Sequence, residues 1–345
     1  MPYNSDVPRL TNLRQPVKAS SYDTLPFERF IVFANPKSSG YRQAHRKIQE
    51  LVQLFPNIPI NTFETSSGGT NSYSKLLHKH VNMFGPRTLL CIAAGDGSIN
   101  FLLEAFLLDD SLPPHVRQTP LLPLWGGNGN DLASMLNGLV TRTFMHTIFD
   151  TAIVVPVRAM HFRMVQPDGK SIDRVAAVTA SFGASAQVAR RLNDGVYRKS
   201  PLHKIPGGRY VKESFTAWWA LTTSPTFRGE RAGKVKRVYE YTFCNGPRMA
   251  KWYRMPVRLS DDQFFLSVME GKVALITPAI LTLSFRRRPS NSNLYSTMQF
   301  DVNELVWAQF DGEPQLIQAN TKVFVQLSDE PFYVFSRLLA DTKNL

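Results

Sequence analysis

Cysteine is nearly missing from this 345-residue chain. Its two cysteines, Cys91 and Cys244, can build neither a disulfide framework nor a zinc site. The chain therefore reads as one made in a reducing compartment. Long apolar runs are missing too, since none approaches the roughly 18 residues that span a bilayer. The opening MPYNSDVPRLTNLRQPVKASSYD lacks the apolar stretch of a secretory signal. No internal repeat is present. Negative charge is the scarcer sign: 27 Asp and Glu face 40 Lys and Arg, a net +13. That balance favours an anionic partner, whether nucleic acid, a phosphorylated small molecule or an anionic membrane surface. What is present in ordinary amounts is core material, with 43% hydrophobic and 19% charged residues. Such a composition excludes a disordered, collagen-like or coiled-coil chain. The length is more than twice a typical domain of about 150 residues, so two domains are expected.

Residues 1–27 are polar, carry Pro2, Pro8 and Pro16, and have no periodicity; they read as a flexible tail. Over 28–150 the pattern alternates strand and helix. Apolar strand-like runs at 30–34, 60–65, 88–93 and 121–124 alternate with amphipathic helices, the first marked by Ala44, Ile48, Leu51 and Phe55, the second by Tyr73, Leu76, Leu77 and Val81. Alternation of this kind implies an α/β domain with a parallel sheet covered on both faces. From about Thr151 the texture changes. Strand-like runs at 157–166 and 171–182 flank a Pro167-Asp168-Gly169 hairpin signal. Further runs at 235–244, 264–268, 273–276, 305–310 and 323–327, with one helical stretch at 210–221, complete an antiparallel β-sandwich over 151–345. The last strands could return to the first domain.

Two glycine turns stand out: Ala94-Gly95-Asp96-Gly97-Ser98-Ile99-Asn100 and Gly126-Gly127-Asn128-Gly129-Asn130-Asp131. Each follows an expected parallel strand and opens a helix. Their aspartates lie 35 positions apart, about one βαβ unit, which puts both turns at the same carboxyl edge of the sheet. Glycine lets backbone approach a ligand there, and helix-start amides point toward anions. An aspartate in each turn offers a seat for Mg²⁺ or its waters. Two tight turns with Asp and Asn as helix caps remain the plain alternative; two such turns at one sheet edge favour phosphate binding. Neither is a P-loop or a dinucleotide fingerprint.

With these residues in view, the chain resembles the diacylglycerol kinase catalytic family, which includes bacterial lipid kinases and sphingosine kinases. The resemblance rests on the paired Gly-Asp turns, on Asn35-Pro36-Lys37-Ser38 with Gly40, and on Thr65 with Gly68. In the same order follow Phe182-Gly183-Ala184, Asn245-Gly246, Asp261-Asp262 and Asp311-Gly312-Glu313. It implies an ATP- and Mg²⁺-dependent lipid kinase acting on a diacylglycerol-like hydroxyl. The implied fold is a phosphofructokinase- and NAD kinase-like α/β domain over 28–150, plus a lipid-binding β-sandwich over 151–345. By this resemblance Asn35, Lys37, Ser38, Thr65, Gly95, Asp96, Gly97, Ser98, Asn100, Gly127, Asn128 and Asp131 contact ATP. Asp96 and Asp131 belong to its Mg²⁺–water network. Asp262, with backbone oxygens of Leu259 and Phe264, is a second metal position. Glu313, beside Asp311, is the proton acceptor, and Asp96 takes part in the chemistry. The implied setting is cytoplasmic and peripheral to an anionic membrane, with no nucleic-acid partner and a homodimer left open.

The chain departs from the family at several points: Ala94 for a glycine, Ser98 for a threonine, Asn128 for a threonine, Phe101 for a glutamate and Gln263 for a glycine. Glu104, one helical turn past Phe101, is a candidate substitute. These changes mark a divergent member and leave the lipid open. A soluble NAD kinase-like enzyme and a catalytically weakened nucleotide- or lipid-binding protein stay in play. Asp-Gly at 311–312 is also an ordinary hairpin turn. Basic residues and aromatics over 190–219 suit either a membrane interface or a helix packing Phe215, Trp218 and Trp219 inward. His78-Lys79-His80 and Arg286-Arg287-Arg288 read as solvated surface.

Overall fold

The computed structural model describes residues 26–36, 41–65, 69–125, 131–137, 145–193, 219, 223–249, 253–254, 257–259, 261–270 and 293–338. The chain divides into two compact units, Met1–Arg158 with Glu330–Leu345, and Ala159–Asp329. Among the described residues no helix is long and apolar enough to cross a membrane. The tail at 1–25, the helical stretch at 210–221 apart from Trp219, the run at 273–276 and the arginines at 286–288 lie outside the described residues.

The first unit is α/β. Strands β1 (Arg29–Ala34), β2 (Ile60–Glu64), β3 (Thr88–Ala94) and β4 (Leu121–Trp125) form the parallel part of one sheet in the order β2-β1-β3-β4. Between and after them run α1 (Tyr41–Leu54), α2 (Gly69–Lys79), α3 (Asp96–Leu108), α4 (Pro114–Arg117), α5 (Asp131–Asn137) and α6 (Met145–Thr151). β3 is buried at all seven positions, as expected of a central parallel strand with helices on both faces. The sheet is completed by a strand from the far end of the chain, Phe332–Ser336, which is parallel to β4 and antiparallel to β5 (Ile153–Val157). Phe335 packs against Phe149 at 5.1 Å and Phe27 at 5.3 Å. Burying such a ring is worth about 1.5–3 kcal/mol, which holds the returning strand in the first unit.

The second unit is a β-sandwich. One sheet comprises β6 (Met160–Val165), β7 (Ser171–Ala176), β9 (Phe227–Arg231), β10 (Lys234–Val238), β16 (Thr297–Val302) and β19 (Thr321–Leu327), in the order β10-β9-β16-β19-β6-β7. The other holds β8 (Thr179–Gly183), β11 (Glu240–Cys244), β14 (Phe264–Met269), β15 (Asn293–Tyr295), β17 (Val306–Phe310) and β18 (Glu313–Ile317), in the order β15-β14-β11-β8-β17-β18. A small pair, β12 (Arg248–Met249) and β13 (Tyr253–Arg254), lies apart, and α7 (Ala184–Asn193) follows β8. Phe162, Phe182, Phe243, Phe300 and Phe310 meet between the sheets, mostly edge to face, the arrangement aromatic quadrupoles prefer.

Three runs that the sequence presents as single strands are corners. The run at 171–182 breaks at Ala177 and Val178, so that β7 and β8 fall in different sheets, and the run at 235–244 breaks at Tyr239 with the same result. The run at 157–166 breaks at Arg158 and Ala159, where one unit ends and the next begins. Apolar alternation carries on through a corner, so periodicity cannot see it.

Candidate functional site

In the first unit the strand register brings four carboxyl ends into one row. Ala34 lies across from Glu64 and from Ala93, and Ala94 across from Trp125. The residues that leave this row are Asn35, Thr65 and Gly95 with Asp96; Asp131 opens α5, beyond residues 126–130, which lie outside the described residues. The backbones of Asn35 and Thr65 are tied to the sheet: Asn35 N donates to Ala93 O at 3.2 Å, and Thr65 N donates to Ala34 O at 2.7 Å. The Thr65 hydroxyl also donates to Ala34 O at 3.2 Å. Gly95, in extended conformation, is the N-cap of the 13-residue α3, and Asp96 stands in its first turn. N-terminal amides of such a helix point beyond Gly95 and favour an anion.

Behind this edge the packing is tight. Asn100 is wholly buried within α3, and Glu104 is 3% exposed. Glu104 accepts a hydrogen bond from the Thr70 hydroxyl at 2.5 Å, so the carboxylate one turn past Phe101 ties α3 to the start of α2. Tyr73 of α2 is 2% exposed, and its hydroxyl lies beside those of Thr65 and Ser98. The sequence marks Tyr73 only as an apolar helix position. α5, which carries Asp131, is fixed from far along the chain. Asn137 Nδ2 donates to Phe335 O at 3.3 Å, Asn137 Oδ1 accepts from Arg337 N at 3.0 Å, and the Ser336 hydroxyl donates to Leu136 O at 2.7 Å. Lys37, Ser38, Gly127 and Asn128 lie outside the described residues.

In the second unit the Asp-Gly-Glu segment is a two-residue hairpin between β17 and β18, pairing Phe310 with Glu313. Asp311 and Gly312 have φ of 47° and 90°, the left-handed pair that a tight hairpin of this twist requires. The Asp311 carboxylate faces inward. Its Oδ2 accepts from Ala177 N at 2.6 Å, and its Oδ1 from Val178 N at 3.0 Å and Thr179 N at 2.8 Å. Asn245 grips the other side of the same segment, with its N donating to Val178 O at 2.8 Å and its Nδ2 to Ala177 O at 3.1 Å. Two short motifs thus clamp the corner where β7 turns into β8. Asp311 acts on the backbone, and Glu313 is half-buried at the first paired position of β18.

Arg174 joins this region from β7. Its guanidinium lies 5.0 Å over the Phe310 ring and donates to Gln315 Oε1 at 2.6 Å. Gln315 and Glu313 are two apart on β18 and so share a face. A charged residue in the inward alternation Ile172, Arg174, Ala176 was the available sequence signal for it. At the Asp pair, Asp261 Oδ2 accepts from Arg258 N at 2.8 Å and Asp261 N donates to Arg258 O at 3.0 Å. Asp261 therefore closes a turn, while Asp262 is exposed and the side chains of Leu259 and Phe264 are buried. Among the described residues no three His, Cys, Asp or Glu side chains form a metal cluster.

No protein-family model and no curated protein sequence matches the chain. Solved structures do. The chain is similar to two structures of candidate diacylglycerol kinases from Bacillus anthracis str. Sterne. One gives a TM-score of 0.60 at 14% identity over 91% of this chain and 99% of that one. The second gives 0.59 at 15% identity over 90% and 99%. A yeast NADH kinase complexed with NADH aligns at a TM-score of 0.46 and 10% identity, over 97% and 95%, a level that carries no argument. The chain has the fold of the bacterial pair: an α/β domain followed by a β-sandwich, with the final strand returning to the first sheet.

Proposed function

We propose that the chain is a kinase that transfers the γ-phosphate of ATP to the hydroxyl of a diacylglycerol-like lipid. The observation that carries this reading is the row of Asn35, Thr65 and Gly95 with Asp96 along one edge of the parallel sheet, with Asp131 opening the helix that follows β4. The residues fit a nucleotide: hydroxyls and helix-start amides suit phosphate oxygens, and the hard carboxylate oxygens of Asp96 and Asp131 suit Mg²⁺. When bound, Mg²⁺ supplies charge neutralisation on the β- and γ-phosphates. Lys37, Ser38, Gly127 and Asn128 complete the proposed nucleotide contacts. Asp262, with main-chain oxygens of Leu259 and Phe264, is the proposed second cation position.

Phosphoryl transfer asks the protein mainly for positioning. Glu313 is the proposed base. As the lipid oxygen–phosphorus bond forms and the bond to the ADP oxygen breaks, the hydroxyl proton passes to Glu313. Asp311 works indirectly, by holding the hairpin that presents Glu313. The net +13 charge supports a substrate taken from an anionic membrane surface. The test is transfer of labelled γ-phosphate from ATP–Mg²⁺ to a panel of micellar lipids, to NAD and to buffer. Labelling of one lipid supports the reading. Labelling of NAD replaces it with a soluble kinase, and ATP binding without transfer replaces it with a binding protein.

A further inference from the structure

Tyr73 is a buried phenol whose hydroxyl closes no hydrogen bond of its own. Native folds rarely seal such a group from water without a partner, and an exception calls for an unseen water or ligand. The ring itself packs normally, tilted against Phe33 at 5.9 Å, so phenylalanine would fill the same space. Only the hydroxyl needs explaining. It lies beside the hydroxyls of Thr65 and Ser98, one leaving β2 and the other in the first turn of α3. The Thr65 proton is committed to Ala34 O, which leaves its oxygen as an acceptor. Burial pushes the Tyr73 phenol above its ordinary range, with Thr65 and Ser98 pulling the other way, so it stays protonated and able to donate at neutral pH.

We propose that Tyr73 is a positioning residue for polyphosphate, donating its one proton to the Ser98 hydroxyl from beneath, beside Thr65, and so turning the Ser98 proton outward to a phosphate oxygen. Donors aligned in one direction strengthen one another, and the trio gains its full set of bonds only when an anion is bound. This inference rests on the nucleotide reading above.

The test is calorimetric titration of ATP–Mg²⁺, and separately of inorganic tripolyphosphate, into wild type, Tyr73→Phe, Ser98→Ala and the double variant, each with a thermal melt. Tyr73→Phe is expected to weaken both ligands about 3- to 10-fold, the range of one hydrogen bond, with the melting temperature unchanged or slightly raised. The double variant should bind no more weakly than Ser98→Ala alone, because the phenol acts through that serine. Unchanged affinity in Tyr73→Phe, losses that multiply in the double variant, or a loss tracking a lower melting temperature would each overturn the role of Tyr73. If wild type binds neither ligand, the nucleotide reading falls and this inference with it. Wild-type binding that Tyr73→Phe fully retains removes only the inference.

Discussion

In the first unit the motif residues stand where strands end: Asn35, Thr65 and Asp96 leave the sheet within one row of it. In the second unit the side chains of Asn245 and Asp311 turn inward and hold the Ala177–Thr179 backbone. Both kinds of motif look alike as strings, a short polar cluster after an apolar run. The difference teaches that a motif string does not say by itself whether such a cluster serves the fold, and that hydrogen-bond partners show where it does. Glu313, two residues from Asp311, is the proposed base, and its role is what Glu313→Gln tests.

The largest expected effect falls on Glu313. Glu313→Gln should lower phosphoryl transfer by about 10²–10⁴-fold, the worth of a general base, and leave the urea unfolding midpoint where it was. A shifted midpoint with residual transfer would put Glu313 in the same structural class as Asp311. Next comes Asp311→Ala, which strips three amides of a charged acceptor. Loss of about 3 kcal/mol is expected, measured by equilibrium unfolding. Asn245→Ala removes one buried side-chain bond to Ala177 O and should cost about 1–2 kcal/mol. If instead Asn245→Ala leaves stability alone and abolishes activity, the contrast between the units is broken.

The smallest effect is a pH slope within the second unit. Glu240 is 2% exposed, accepting from Ser185 N at 3.2 Å, in the first turn of α7, and from the Thr242 hydroxyl at 2.6 Å. Burial raises its pKa above the ordinary 4.5, although the Ser185 and Thr242 bonds oppose the shift. The folded state then holds its proton where the unfolded state has lost it. Stability should therefore fall as pH rises from about 4.5 to the folded-state value. Glu240→Gln should flatten that slope in unfolding curves taken across the range.

Much of the α/β half is legible in the sequence, because strand, glycine turn and amphipathic helix follow one another with clear changes of period. The β half is less so. The break at Ala177 is held by distant groups, Asp311 and Asn245, and neither it nor the break at Tyr239 leaves a mark on local alternation. β9 and β18 do not stand out as strands in the sequence, since Arg228, Gly229 and Glu230 in the one and Pro314 and Gln315 in the other dilute the pattern. For the site, the place of the Gly-Asp turn at 95–96, between β3 and α3, is legible because strand, turn and helix are local. The grip of Asp311 is not, since Asp-Gly reads the same in a hairpin as beside a base. Tyr73 hid because a phenol and a phenyl ring serve a helix face equally well.

The most direct measurement is single-turnover transfer of γ-phosphate from ATP–Mg²⁺ to micellar diacylglycerol, by wild type and Glu313→Gln at matched stability. Transfer by wild type, with a variant that still binds ATP and transfers at least about a hundredfold more slowly, is the predicted result. Equal rates in the two proteins, or no transfer by wild type to any lipid offered, would contradict the account.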